Sequence, residues 1–448
     1  MAFKFVTVVA ALVVSGLPLV PLLSEAQVAA TPTAKLTFAE TLERALEKSL
    51  EFRSLKLNEQ NAVMTESSAW WALAPSFDLS ASHTFLQSSL DSTRNTTAGG
   101  YPWSTQLGLS VTENLYDNGD TWRLAKAASL KRKSEALNLE KGRARLLVDV
   151  AKAYYDFSQA AVALDLRQQQ TESIKVQHKS IQSRYRQGVQ SNRDYLRIQA
   201  QMENSEISLL NQQIQLNSAK TALKVAIGEF EEADFIAVDP SKQSYSGIAP
   251  EGEIDPRNSY EFRIADILNE VAELEYTTVA RTELPRLSLK GNFDYIIPQY
   301  LGTGPDNRSG DPFWNLQAMV VLDYRLWDWG NRQRTVNIAE NKKQIEYNNQ
   351  DKTKLKTLGT LAEMQFQAKL LRASFAANQR MLKANRDAFQ SMNTGYLEGK
   401  VTYLELITAL NDLYESRSKD LTLRINILKL RAEIAYYQGN VDEVLKAN

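Results

Sequence analysis

Few side chains in this sequence are placed to do covalent chemistry. Cysteine is absent, which removes thiol nucleophiles, disulfides and thiolate metal sites together. The two histidines fall in different kinds of segment: His83 in an alternating stretch and His178 in a long helical pattern. A pair so placed is too little for a metal site, and no nucleophile elbow, phosphate loop or clustered ligand motif accompanies it. The reading is therefore of a protein that is not an enzyme and needs no cofactor or metal. What recurs instead is a pair of carboxylates. Asp194 lies six residues after Gly188 and Glu405 six after Gly399, each about one and a half helical turns on. Acids that a fold brings close repel, hold some of their protons more tightly and draw cations. Acids early in a helix are also ordinary solvated partners of its dipole.

Those two glycines belong to a longer repetition. LYDNGDTWR at residues 115–123 returns as LWDWGNRQR at residues 326–334. Gly119 to Gly188 spans 69 positions, as does Gly330 to Gly399, and Arg123, Ala128, Glu135 and Tyr185 match Arg334, Ala339, Glu346 and Tyr396 at an offset of 211. Upstream the offset is 210, pairing SLEFR at 49–53 with SYEFR at 259–263 and Pro75 with Pro285. A run of landmarks this long identifies a duplicated unit.

The elements that carry these residues follow from periodicity. A leading apolar segment, residues 1–26 with an alternative exit after 30, has one lysine and small residues at its end and reads as a secretory signal. Beyond it no apolar run approaches the ~20 residues of a spanning helix. With 52 basic and 53 acidic residues the net charge is -1, so no electrostatic case exists for nucleic acid. The first unit, 37–228, reads as a helix stopped by Pro75, a strand hairpin at 76–117 and a long helical hairpin at 120–228. A connector, 229–258, leads to the second unit, 259–439, with its helix, strand hairpin at 286–328 and helical hairpin at 331–439. A tail, 440–448, follows.

The strands alternate. Phe77, Leu79, Ala81 and Phe85 face away from Asp78, Ser80, Ser82 and Thr84; Leu107, Leu109, Val111 and Leu115 face away from Gln106, Ser110, Thr112 and Asn114. The second unit repeats this with Leu287, Leu289, Phe293, Tyr295 and Ile297, and with Leu316, Ala318, Val320, Leu322, Tyr324 and Leu326. Tyr116, Trp327, Trp329, Trp70 and Trp71 crowd the strand–helix boundaries, as amphipathic rings do at a membrane–water interface. In the returning helices Leu404, Ile407, Asn411, Tyr414, Ser418, Leu421, Ile425, Leu428, Ala432 and Ala435 form a three-four seam that Leu196, Ile207, Leu210 and Ile214 echo in part. Apolar faces meeting lipid demand a closed sheet. Four strands cannot close one, so copies must pool theirs, eight from a dimer or twelve from a trimer. The polar lining would then include Asp78, Ser80, Gln106, Ser110, Asn292 and Asp294.

In this doubled order of helix, proline, strand pair, Asp-x-Gly, long helix, Tyr-x-x-Gly turn and returning helix, the sequence resembles the TolC-like outer-membrane efflux proteins over nearly the whole mature chain. The resemblance implies an α+β membrane protein: a homotrimer whose 12-stranded β-barrel continues as a long α-helical coiled-coil barrel. It implies the outer membrane of a Gram-negative cell, with outer-membrane lipid around the barrel and a large periplasmic portion. The partners it implies are a periplasmic adaptor and an inner-membrane pump or ABC exporter, in a tripartite efflux or type I secretion system. Gln187, Gly188, Val189, Glu398, Gly399 and Lys400 would form the adaptor-docking tip, and Asp194, Glu405, Thr408 and Tyr396 the periplasmic aperture. Thr408 stands where better-known members carry a second acid, and Val401 where a basic residue can stand. The alternative function is a periplasmic coiled-coil adaptor or structural protein without a pore, which leaves the alternating strands unexplained.

Overall fold

The computed structural model describes residues 35–85, 103–229, 234–238, 255–282, 284–299 and 312–446. The signal segment, the polar bend at 88–102, most of the connector and the last two residues of the tail lie outside them.

The chain begins with β1 (Lys35–Leu36), α1 (Phe38–Lys48) and α2 (Leu50–Trp71). The sequence pattern reads as one leading helix, but the structure breaks it at Ser49. That residue takes an extended conformation and its side chain accepts the Phe52 N–H, so it ends α1 and caps α2. Next come β2 (Ser76–Phe85), β3 (Trp103–Tyr116), α3 (Asp120–Arg186), α4 (Asn192–Ile227) and β4 (Asp234–Phe235). A 3-10 turn at Pro256–Asn258 leads to α5 (Tyr260–Arg281), β5 (Arg286–Gln299), β6 (Phe313–Asp323), α6 (Asn331–Leu397), α7 (Tyr403–Gln438) and α8 (Val441–Lys446). The helices α3 and α6 each run 67 residues, about 100 Å at 1.5 Å per residue.

Strands β2, β3, β5 and β6 form one antiparallel sheet in that order. Register carries the alternation across all four: Leu79, Leu109, Phe293 and Leu316 form one rung, and Asp78, Ser110, Asn292 and Gln317 the next of opposite face. On the polar face Gln106 Nε2 donates to Asp294 Oδ1 at 2.9 Å. On the apolar face Leu79 is 82% and Leu316 67% exposed. One detail departs from strict alternation. A bulge between Asn114 and Tyr116 places Tyr116, not Leu115, opposite Leu287, because an inserted residue shifts every later side chain by one face. Hydrogen-bonded pairing also stops at Asp323, so Tyr324 and Leu326 follow the sheet rather than lie within it.

The helices make a layer. Beside the sheet, α2 packs on α3, α3 on α5 and α5 on α6; farther along, α4 packs on α3, α3 on α7 and α7 on α6. The main core gathers Val148, Tyr154 and Tyr155 of α3, Phe38 of α1, Leu223 of α4, Phe235 of β4 and Ile425 of α7. This arrangement changes the reading of α7. Ile407, Leu421, Ile425, Leu428, Ala432 and Ala435 of the expected seam are buried, but so are Leu406, Leu410, Leu413, Leu430 and Ile434 on another face, while Leu404 is exposed. A helix between two neighbours needs two apolar stripes rather than one. Leu196, Ile207, Leu210 and Ile214 of α4 are exposed. Among the described residues no helix is long and apolar enough to cross a membrane.

Candidate functional site

The repeated nonapeptides build the junction from sheet to helix. Asp117 Oδ1 accepts the Gly119 N–H at 3.0 Å and Oδ2 the Thr121 N–H at 2.8 Å. Asp328 does the same for Gly330 at 3.1 Å and Arg332 at 2.7 Å. Asn118 and Gly119 both have positive φ, as do Trp329 and Gly330. This double left-handed step turns the chain; glycine takes its half without strain, whereas Asn118 and Trp329 hold theirs at a cost. The motif's arginine returns to the turn: Arg123 Nη1 reaches the Asn118 carbonyl at 2.9 Å and Arg334 Nη2 the Trp329 carbonyl at 3.3 Å. Burial pushes the Asp117 carboxyl up, but bonds from Thr121 and Gly119 and the charge of Arg286 outweigh it and leave the group below the usual range.

At the far end of the hairpins lie the two turns. Gly188 and Gly399 have φ of 75° and 74°, and nothing stands within 4 Å of a Cβ built at either. Glycine is there for conformation, not for room. The Val189 N–H bonds to the Arg184 carbonyl at 3.0 Å, and the Lys400 N–H to the Gly395 carbonyl at 2.8 Å. Gln187, Gly188, Val189, Glu398, Gly399 and Lys400 are all exposed, with Lys400 paired to Glu398 at 2.7 Å. Val401 folds back onto Gly395, where an added Cβ would meet its Cγ2 at 2.6 Å.

Both acids are engaged within their own turns. Ser191 caps α4 by accepting the Asp194 N–H at 3.2 Å, and Asp194 Oδ2 accepts from Ser191 Oγ at 2.7 Å and Gln190 Nε2 at 2.9 Å. Glu405 completes a capping box with Thr402, accepting its N–H and its hydroxyl, each at 2.8 Å. The backbone bond from Thr402, reinforced by its hydroxyl, lowers the Glu405 pKa. A rise from mutual repulsion belongs to several chains and lies outside this one. Ser-x-x-Asp and Thr-x-x-Glu carry the signature of such caps, a signal legible in the sequence that the reading of the acids passed over. Thr408 donates to the Leu404 carbonyl at 2.8 Å.

The structure does bring Tyr396 into a cross-hairpin cluster. Its ring lies 6.4 Å from that of Tyr403, and the Arg184 guanidinium stands 5.3 Å over it. Ile174, Ile181, Ile198, Tyr403, Ile407 and Leu410 are the buried centre of this cluster, which fastens both turns together. Tyr403 and Arg184 were not singled out from sequence; no local pattern marks contacts between α3, α6 and α7. The two histidines stay apart in role: His83 Nδ1 meets Thr105 Oγ1 at 2.8 Å in the sheet, and the His178 ring lies 5.9 Å from that of Tyr195.

The fold is a sheet with one apolar face mounted on helical hairpins of this length. Residues 41–229 and 258–440 match the outer membrane efflux protein family, and the chain belongs to it. That family is one of transport channels. No curated protein matches the chain. Among solved structures, VceC of Vibrio cholerae is 17% identical with a TM-score of 0.74, covering 90% of this chain and 96% of that one. The Campylobacter jejuni CmeC channel is 14% identical with a TM-score of 0.75 over 92% and 89% of the two chains. The open state of Neisseria gonorrhoeae MtrE is 18% identical with a TM-score of 0.74 over 90% and 89%. At these identities the likeness is one of fold.

Proposed function

We infer that the chain is the outer-membrane exit duct of a tripartite efflux or type I secretion system, receiving substrates from a periplasmic adaptor and an inner-membrane pump. The observation that carries this reading is the sheet's pair of open edges. Among the described residues β2 and β6 each pair on one side only, and open edges are not tolerated beside lipid. Three copies supply twelve strands, enough to close a barrel around a polar lumen lined by the Asp78 and Asp294 face. In this reading residues 37–228 and 259–439 are duplicated structural units, 229–258 is a connector around the tunnel, 1–26 is removed on export and 440–448 is a tail. Gln187, Gly188, Val189, Glu398, Gly399 and Lys400 dock the adaptor, and Asp194, Glu405, Thr408 and Tyr396 surround the aperture.

The test is mass in detergent. Three chains, each slightly under 50.5 kDa after export, give about 150 kDa of protein. A monodisperse monomer, with detergent mass subtracted, would sink the barrel. For the aperture, purified protein in planar bilayers should prefer cations and lose much of that preference when Asp194→Ala is combined with Glu405→Ala. An unchanged permeability ratio would put the constriction elsewhere.

A further inference from the structure

Between the main core and the cluster behind the turns, α3, α4 and α7 of one chain enclose a polar cavity of about 380 Å³. A chain of hydrogen bonds links two of these helices: Arg167 Nη1 donates to Gln170 Oε1 at 2.7 Å, and Gln170 Nε2 donates to Asn411 Oδ1 at 3.1 Å. Gln170, at its middle, is 8% exposed. The direction of this chain decides what the cavity lacks. Both carboxamide oxygens in it already accept, and what remains are donors: Nε and Nη2 of Arg167 and Nδ2 of Asn411, for which no partner stands among the described residues. Glu415, the acid in the lining, is held by Lys419 at 2.7 Å. Leu166 and the Tyr414 ring supply an apolar wall.

The duplication provides a comparison. At the offset of 211, Arg167, Gln170 and Gln212 are matched by Asn378, Met381 and Leu423. Asn378 is 5% exposed and donates to the Ser416 carbonyl at 3.4 Å, closing the α6 and α7 hairpin on itself. The second unit thus packs this level with one short carboxamide and two apolar side chains. A long cation at 167 is not something the hairpin needs in order to pack.

We propose that this cavity is a binding site for a small organic carboxylate with a ring-sized apolar body and, resting on the duct reading, a station for cargo of that class. Nε and Nη2 of Arg167 form a fork that takes a carboxylate through two bonds at once. Asn411 Nδ2 adds a further donor, and the body lies against Leu166 and Tyr414. Gln201 and Gln212 of α4 complete the polar wall and can give or accept a bond to a substituent. A cavity of this volume lies at the small end of small-molecule sites, which limits the class to compact acids.

Benzoate is the probe, and benzamide is its neutral counterpart. Equilibrium dialysis of detergent-purified protein should show one saturable benzoate site per chain, weakened by salt, with benzamide bound at least about tenfold more weakly. Arg167→Gln should lose benzoate by a similar factor, Arg167→Lys should keep part of it, and Arg53→Gln, at an exposed cation of α2, should bind as before. If Arg167→Gln does not fold by circular dichroism, Asn411→Asp, which sets a second acid in the cavity, reads the same site and should also lose benzoate. Equal binding of the two probes, or unchanged binding in a folded Arg167→Gln or Asn411→Asp protein, would overturn the site. Inorganic phosphate displacing benzoate at equal concentration would overturn the carboxylate assignment. Because the cavity belongs to one chain, the duct reading is tested separately. Saturable binding by detergent-corrected monomers would keep the site and remove the duct, whereas trimers that bind no benzoate would remove the site and leave the duct standing.

Discussion

Helices α3 and α6 have the same length and opposite surroundings. Of 67 residues, α3 buries 21 and α6 only four: Thr357, Leu361, Ala368 and Asn378. The mean hydropathic character of the two does not explain this, since α6 keeps Ile338, Ile345, Leu355, Leu358, Phe366 and Leu370 exposed. Position in the layer does. α3 lies between neighbours over its whole length, whereas α6 is the layer's edge. Burial within one chain therefore measures where an element sits as much as what it is made of, and an edge rich in apolar side chains marks where another surface belongs.

The contrast can be broken most severely on the α3 side. Ala127→Glu inserts a charge into a buried α3 site whose basic neighbours, Arg123 and Lys131, are already paired with Asp120 and Glu275. We expect a loss of several kcal/mol and no folded protein in the outer membrane by protease protection. The paired change Ile338→Glu with Ile345→Glu should leave each chain folded by circular dichroism and abolish trimers. Equal loss of folding in both variants would erase the distinction between inner helix and edge.

Next in size are the two turns. Gly188→Val and Gly399→Val force a β-branched residue to positive φ, costing about 1–2 kcal/mol at each site. Since nothing crowds either Cβ, the strain stays local. Trimers should persist on native gels while transport of a dye cargo stops, and loss of trimers would assign these turns to folding.

A smaller effect separates the two junctions. Asn118→Ala removes two hydrogen bonds to the Leu284 and Pro285 carbonyls, about 1–2 kcal/mol by chemical denaturation of the monomeric chain. Trp329→Ala loses within the chain an edge-to-face contact with Trp327 at 6.0 Å, so it should cost the monomer less than Asn118→Ala and show itself mainly in the assembled protein. If both variants destabilise monomers equally, Trp329 is packed within its own chain.

The smallest effect is in pH. Asp117 has a folded pKa below its unfolded value near 3.8, so its stabilising bonds are fully present above about pH 4. They are lost as pH falls through the lower folded value. Hydrogen exchange at Gly119 and Thr121 should therefore speed up only below that range, and an Asp117→Asn variant should show no such step.

Much of this molecule was legible in sequence because its signals are local. Pro75 and Pro285 end helices wherever they stand, alternation at 77–85 fixes two faces by backbone geometry alone, and the repeated glycines mark left-handed steps that other residues make at a cost. Ser49 escaped notice because a cap in the middle of a helical pattern changes two residues' dihedrals without changing its periodicity. The bulge beyond Asn114 and the second stripe of α7 were invisible for a different reason: each depends on which strand or helix lies alongside, a fact held jointly by distant segments. The same holds for the acids. Sequence placed Asp194 and Glu405 at equal distances from their glycines, and only the fold showed each bound into its own cap. Period, turn and offset are properties of neighbouring residues and so belong to the sequence itself. Which of two matched helices is buried depends on what the folded chain sets beside it, and this the tertiary structure alone decided.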